Sequence, residues 1–194
     1  MKKILTTMVC VLFTLTTYSQ SKIWEITTDV FQVRYSEPLQ QPLKVTYKVM
    51  CPNGDAKRSG MDFYGHSDVY TSDVDDYRNN VWDRGHLAPA AAFNCDRETL
   101  KKTFSYLNCA LQHEGLNRGP WKELERFERN LAKIYDEVSV KVDIIFERNE
   151  KVAGGATIPT YFDKEISFGN RTIKFRFPNE DCSGTDWYNY LIEE

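Results

Sequence analysis

Apolar and polar residues alternate over four stretches of this chain, and a period of two marks half-buried β-strands. Phe31, Val33 and Tyr35 form the first. Val45, Tyr47 and Val49 form the second, across a turn between Pro38 and Pro42. Val138, Val140, Val142 and Ile144 make the third, and Ile173, Phe175 and Phe177 the last, after a Gly169-Asn170 turn. Strands so predicted, with turns this short between them, pair antiparallel. Between the two groups the period changes. Trp121, Leu124, Phe127 (or Glu128), Leu131 and Ile134 recur at spacings of three and four, which predicts a helix over 117–135 with one face against a sheet. Gly119 and Pro120 fall in its first turn, where a missing amide donor costs little. A shorter helix is predicted over 97–106. No internal repeat, low-complexity tract or Pro/Gly/Ser-rich linker interrupts the chain, so the pattern describes one α+β domain, a central helix packed on antiparallel strands.

The first residues are read differently. Lys2 and Lys3 precede an apolar stretch from Ile4 to Leu15, and Thr17-Tyr18-Ser19 sets small residues where a signal peptidase inspects the chain. That three-part pattern predicts a signal peptide over 1–19 and a secreted or periplasmic domain over 20–194. The apolar stretch is shorter than the roughly 20 residues that cross a bilayer. Cys10 lies inside it and is not read as a lipid-attachment site. Beyond it stand Cys51, Cys95, Cys109 and Cys182, an even number that in an exported protein suggests one or two disulfides; three full pairings are open, as are free buried thiols.

Charge argues mildly against a nucleic-acid partner. The chain carries a net −3, and losing Lys2 and Lys3 takes it two units lower, whereas nucleic-acid binders usually show a basic surplus. The balance reverses locally: Arg84, Arg97, Lys101, Lys102, Arg118 and Lys122 stand against Asp96, Glu98 and Glu114.

One short run is hard to explain by packing. Asp83-Arg84-Gly85-His86 sets a carboxylate, a guanidinium, a glycine and an imidazole in succession, followed by Leu87-Ala88-Pro89. A surface ion pair beside a turn glycine would account for it on local composition. A second cluster changes the balance: Asn108, Gln112, Asn117, Trp121 and Glu125, in the pattern Asn-(x3)-Gln-(x4)-Asn-(x3)-Trp-(x2)-Leu-Glu. Together the two stretches resemble the signatures of the DNA/RNA non-specific endonuclease family, the ββα-metal (His-Me finger) nucleases. Looser likeness runs through Tyr35-Ser36-Glu37, 158–162 and Phe177-Pro178-Asn179. Leu111 replaces the family's usual proline before the glutamine, and the C-terminal extension of larger members is missing.

The residue types support the chemistry on their own terms. Phosphodiester hydrolysis needs a base for the attacking water, and His86, with an ordinary pKa of about 6.5, suits that role near neutral pH. Arg84 can hydrogen-bond two phosphate oxygens at once and carry the charge that develops there. The resemblance implies Mg²⁺, with Mn²⁺ able to substitute, held by the Asn117 carbonyl; a neutral ligand leaves the ion's charge facing the phosphate. Glu125, eight residues on and roughly two helical turns away, is placed to hold the ion's water shell. Asp83, Asn108, Gln112 and Arg118 become supporting or substrate-facing polar groups, with Asp83 orienting its neighbours. The bland readings are specific too: Asn117 as a helix N-cap, Glu125 as a solvated helix residue, Trp121 as core, and His66 and His113 in surface or structural roles. The resemblance implies DNA and RNA substrates, 5′-phosphate ends and room for a homodimer. A catalytically weak nucleic-acid-binding or cell-surface module that keeps the fold is the alternative. A small-molecule phosphodiesterase finds no support, because such sites commonly gather several His or Asp ligands.

Overall fold

The computed structural model describes residues 22–193, so the expected signal peptide lies outside the described residues. Nine strands and three short α-helices are found there: β1 (Ile23–Thr27), β2 (Gln32–Ser36), β3 (Gln41–Lys48), β4 (Trp82–His86), α1 (Arg97–Lys102), β5 (Cys109–His113), α2 (Glu114–Leu116), α3 (Lys122–Leu131), β6 (Val138–Ile145), β7 (Tyr161–Phe168), β8 (Arg171–Pro178) and β9 (Leu191–Glu193). Seven of them form one antiparallel sheet in the order β1-β2-β3-β6-β7-β8-β9, and β4 and β5 make a separate two-stranded ribbon.

The four alternating stretches are β2, β3, β6 and β8, and their apolar positions face inward. β7 was not expected. Its inward positions are Phe162, Lys164, Ile166 and Phe168, and the lysine breaks the pattern that would have revealed it. The long helix also differs from expectation. α2 is a single turn, Asn117–Trp121 forms a π-type turn, and Gly119 leaves helical geometry (φ −98°, ψ −118°) before α3 begins. The run ends near Leu131, and Ile134, expected on the buried face, is 76 % exposed.

Trp121, Leu124 and Leu131 seat α3 on the sheet, where the Trp121 ring meets Phe162 and Phe177 at 5.6 and 5.5 Å. Glu128, rather than Phe127, takes the fully buried place between Leu124 and Leu131. Burial of a carboxylate is costly unless it is paired, and Glu128 is paired twice: Lys164 Nζ from β7 donates at 2.8 Å, and the Tyr47 hydroxyl from β3 at 2.6 Å. Lys164 in turn sits 3.8 Å from the centre of the Trp121 ring, a cation–π contact in a dry setting.

Of the four cysteines, Cys51 and Cys95 form a disulfide, while Cys109 and Cys182 are buried thiols. The bridge pins the long connection between β3 and β4 to the segment that leads into α1.

Lys164→Met should cost about 3–5 kcal/mol in urea unfolding by stranding Glu128, with most of that recovered in the Tyr47→Phe, Glu128→Leu, Lys164→Met triple variant. An equally large loss in the triple variant would mean that shape, not charge, is what matters there. Replacing Cys51 and Cys95 by serine should lower stability by about 2–5 kcal/mol, read as a lowered urea midpoint with a steeper slope, because the unbridged unfolded chain exposes more surface; an unshifted midpoint would show that the bridge constrains nothing.

Candidate active site

Strand β4 is Trp82-Asp83-Arg84-Gly85-His86 itself, paired so that Asp83 faces Gln112, Gly85 faces Ala110 and His86 faces Cys109. Side chains alternate along a strand, so Arg84 and His86 share one face. Gly85 is demanded by packing. A Cβ there would lie 2.5 Å from Gln112 Oε1 and 2.6 Å from Gln112 Cβ. The ribbon runs straight into α2, the π-type turn and α3, so two antiparallel strands are followed by a helix, with the charged motif on the first strand.

Asp83 ties strand to helix. It accepts from Asn117 Nδ2 at 2.8 Å and from Arg118 Nε and Nη2 at 2.9 and 2.7 Å. Desolvation pushes the Asp83 carboxyl up, but the bonds from Arg118 and Asn117 prevail and hold it below the ordinary carboxylate range. Asn117 is not a helix N-cap: its backbone is helical, the cap of α2 is His113, and the His113 ring accepts from Gly115 N at 3.1 Å. With its amide nitrogen committed to Asp83, the Asn117 carbonyl oxygen has no protein partner among the described residues and stays available.

His86 is walled by aromatics. Its ring lies 4.7 Å from Phe63 and 4.8 Å, edge to face, from Phe104. Nε2 is buried and without a partner, which leaves Nδ1 as the nitrogen able to meet a water. Burial first, then the positive charges of Arg58 and Arg84, push the imidazole pKa down to about 3. Arg84 lies over the same Phe63 ring at 5.4 Å and pairs through Nη1 with Asp62.

Glu125 stands on α3 beside the buried pair. Desolvation raises its pKa to about 7, against the pull of Lys164 and with the push of Glu128. The Trp121 indole N–H, which closes no hydrogen bond of its own, lies near enough to favour the charged form. The kink at Gly119 and the wider π-type turn alter the phase between Asn117 and Glu125, so an ideal helix does not describe their relation. Asp83, Asn117 and Arg118 are thus joined directly and Arg84 and His86 share a wall, whereas no hydrogen bond links Glu125 to either group.

Two expectations are corrected. Asn108 does not line a groove: it is fully buried, its Oδ1 accepts from Ala88 N at 2.7 Å, and its Nδ2 donates to the carbonyls of Ala88 and Thr103, both at 2.9 Å. It braces the chain just after His86. Gln112 is likewise fully buried, lying over Gly85 with neither amide atom hydrogen-bonded. Trp121 is core, as expected, and His66 is exposed. Arg58, Asp62 and Phe63 were missed, because they sit in an irregular connection with no periodicity to single them out. Arg129, which donates to the Glu125 carbonyl at 2.9 Å, could have been found from its spacing of four after Glu125.

Fold and motif define a ββα-metal nuclease core. The chain belongs to the DNA/RNA non-specific endonuclease family, whose model matches residues 13–193. It is 35 % identical over 128 residues to mitochondrial endonuclease G of Bos taurus, covering 58 % of this chain and 43 % of that protein. With the mitochondrial nuclease of Saccharomyces cerevisiae it shares 32 % over 133 residues, 59 % of this chain and 40 % of the other. The chain therefore spans less than half the length of these relatives. A crystal structure of an EndoG/EndoGI complex superposes with a TM-score of 0.78 at 23 % identity, covering 87 % of this chain and 79 % of that one, a likeness of fold. These comparisons overturn the expectation of a secreted or periplasmic protein, because the endonuclease G, yeast and EXOG relatives are mitochondrial nucleases.

His86, whose folded pKa lies below its unfolded value, leaves the unfolded state binding more protons, so its contribution to stability is present above about 6.5 and is lost as pH falls toward 3. In an NMR titration of the metal-free protein, the His86 ring should stay neutral from about pH 8 down to about pH 5. A midpoint at the ordinary histidine value would show that the Phe63–Phe104 wall admits water.

Proposed function

We propose that the protein is a metal-dependent endonuclease that hydrolyses phosphodiester bonds of DNA and RNA without strong preference for sequence or sugar. The observation that carries this reading is the Asn117 amide, whose nitrogen is fixed by Asp83 and whose carbonyl oxygen meets no partner among the described residues, beside a strand bearing His86 and Arg84. Among the described residues no group of three or more His, Cys, Asp or Glu side chains is placed to hold a metal. A hard oxygen donor such as the Asn117 carbonyl fits a largely hydrated Mg²⁺ or Mn²⁺, and Glu125 would steady the water around it. Such a cation would supply Lewis acidity at the leaving 3′ oxygen.

The remaining steps belong to the chain's own side chains. His86 accepts the proton of the attacking water at Nδ1; burial with Arg58 and Arg84 keeps it unprotonated, and the same lowered pKa makes it a weaker base than the ordinary imidazole expected from the sequence. Arg84 keeps Nη1 on Asp62, has the Tyr106 hydroxyl beside it, and offers its remaining N–H groups to the phosphate oxygens, where charge accumulates. Contact with phosphate alone would leave base and sugar largely unread. Arg118, exposed, is held by both Asp83 and Glu114, so its charge is offset within that cluster and its part is to fix Asp83.

Incubating purified protein with plasmid and with RNA, with Mg²⁺ and with EDTA, tests the reading. The wild type should cleave both polymers only with the metal, and His86→Ala should lower the rate by about 10²–10⁴-fold. Asn117→Ala should lose most activity while its circular dichroism stays native. Absence of metal-dependent cleavage by the wild type would favour a binding module that keeps the fold, and undiminished cleavage by His86→Ala would remove His86 from the mechanism.

A further inference from the structure

The connection between β3 and β4 carries no regular strand near the site, yet its position is fixed along most of its first half. Met50 and Cys51 donate through their backbone N–H groups to Ala92 O at 3.1 and 2.9 Å, and Cys51 is bonded to Cys95. Asn94 holds the Gly54 carbonyl through Nδ2 at 2.8 Å and accepts from Ala56 N at 3.0 Å. Arg97 reaches back from α1 to the carbonyls of Lys57 and Ser59 at 2.9 and 3.0 Å. Beyond the site, Tyr64 N donates to Phe104 O and Tyr106 N to Tyr64 O, both at 2.9 Å. Asp62 and Phe63 therefore sit in a strap stitched on either side of them.

That strap delivers two contacts to Arg84, whose guanidinium also has the Tyr106 hydroxyl beside it. Phe63 lies under the guanidinium and against the His86 ring. Asp62 Oδ1 accepts from Arg84 Nη1 and also from Phe63 N, at 2.8 Å. An exposed ion pair contributes little to stability, and Asp62 is 75 % exposed at its side chain, so stability does not explain a carboxylate set next to a phosphate-binding arginine. Its negative charge works against a polyanion. A role that offsets this cost is geometric: one N–H edge taken by a fixed acceptor leaves the guanidinium with a defined orientation, and a flexible arginine otherwise gives up that freedom when it binds.

We infer that Asp62 is a positioning residue, which with Tyr106 holds the Arg84 guanidinium across the Phe63 ring so that its remaining N–H groups meet the phosphate beside His86. The inference rests on the nuclease reading above for its kinetic consequence. It acts through Arg84 and touches no reacting atom. Asparagine at this position keeps an oxygen acceptor for Nη1 and discards the charge, whereas alanine discards both, so the two substitutions separate orientation from electrostatics.

The experiment compares wild type, Asp62→Ala and Asp62→Asn in steady-state cleavage of a fluorogenic oligonucleotide with Mg²⁺, beside NMR of the arginine guanidinium groups in the metal-free proteins. Asp62→Ala should lower kcat by about tenfold, and Asp62→Asn should return it to within about threefold of wild type with a lower KM, since repulsion of the polyanion is gone. In the NMR spectra the Arg84 guanidinium protons should be resolved by slow rotation in wild type and merge in Asp62→Ala. Undiminished kcat in Asp62→Ala, or an Asp62→Asn as slow as the alanine variant, overturns the inference. If the wild type cleaves nothing, the nuclease reading falls by itself; the positioning of Arg84 is then decided by the NMR spectra, and a freely rotating guanidinium in wild type rejects it.

Discussion

Asp83 accepts three hydrogen bonds, one from Asn117 and two from Arg118, and through them strand β4 and the helical run after β5 share a single anchor. Backbone pairing already holds β4 to β5, but it says nothing about how the next segment leaves the ribbon. That direction comes from the carboxylate. Its bond to Nδ2 also decides which end of the Asn117 amide points away, and a side chain that could have capped a helix instead presents its oxygen. One partly buried carboxylate, kept ionised by its donors, thus joins the architecture of the core to the chemistry of its edge.

A second constraint works from behind. α3 packs on the sheet through an apolar stripe, and such a stripe alone allows helices to slide or rotate by small amounts. Glu128 removes that freedom, because it must meet Lys164 from β7 and Tyr47 from β3 together. Lys164 then closes the arrangement on the Trp121 ring. The contacts join two strands and a helix through groups that tolerate few alternative geometries. The same lysine lowers, and the same Glu128 raises, the pKa of Glu125, so the pair that fixes the helix also sets the charge of its neighbour.

Sequence periodicity reached the parts of this fold that obey a single rule. β2, β3, β6 and β8 each bury alternate apolar residues, and pattern is enough for them. It failed where a polar residue takes a buried place. Lys164 hides β7, spacing left Phe127 and Glu128 as alternatives that only the buried partners decide, and Gly119 breaks a helix whose spacing looks continuous. β5, buried at four of its five residues, shows no alternation at all. Within the site, Asp83, Arg84, His86 and Asn117 were legible because their chemistry is concentrated in two short stretches. Asn108 and Gln112 were legible as motif members but not as braces, since burial of an amide cannot be read without its partners.

The residues that escaped sequence reasoning altogether lie in the strap, and there is a physical reason. Arg58, Asp62 and Phe63 owe their position to hydrogen bonds from Asn94, Arg97 and the backbone of Phe104 and Tyr106, residues some 30 to 50 positions away. Most of these bonds use backbone groups of the strap, which every sequence carries, so no pattern of side chains announces them. Yet Phe63 supplies one wall of His86 and the seat of Arg84, and the dry surroundings of Nε2 depend on it. A site built from a two-strand ribbon and a helix is open on one side; the irregular strap closes that side, and its shape is set by what it is tied to.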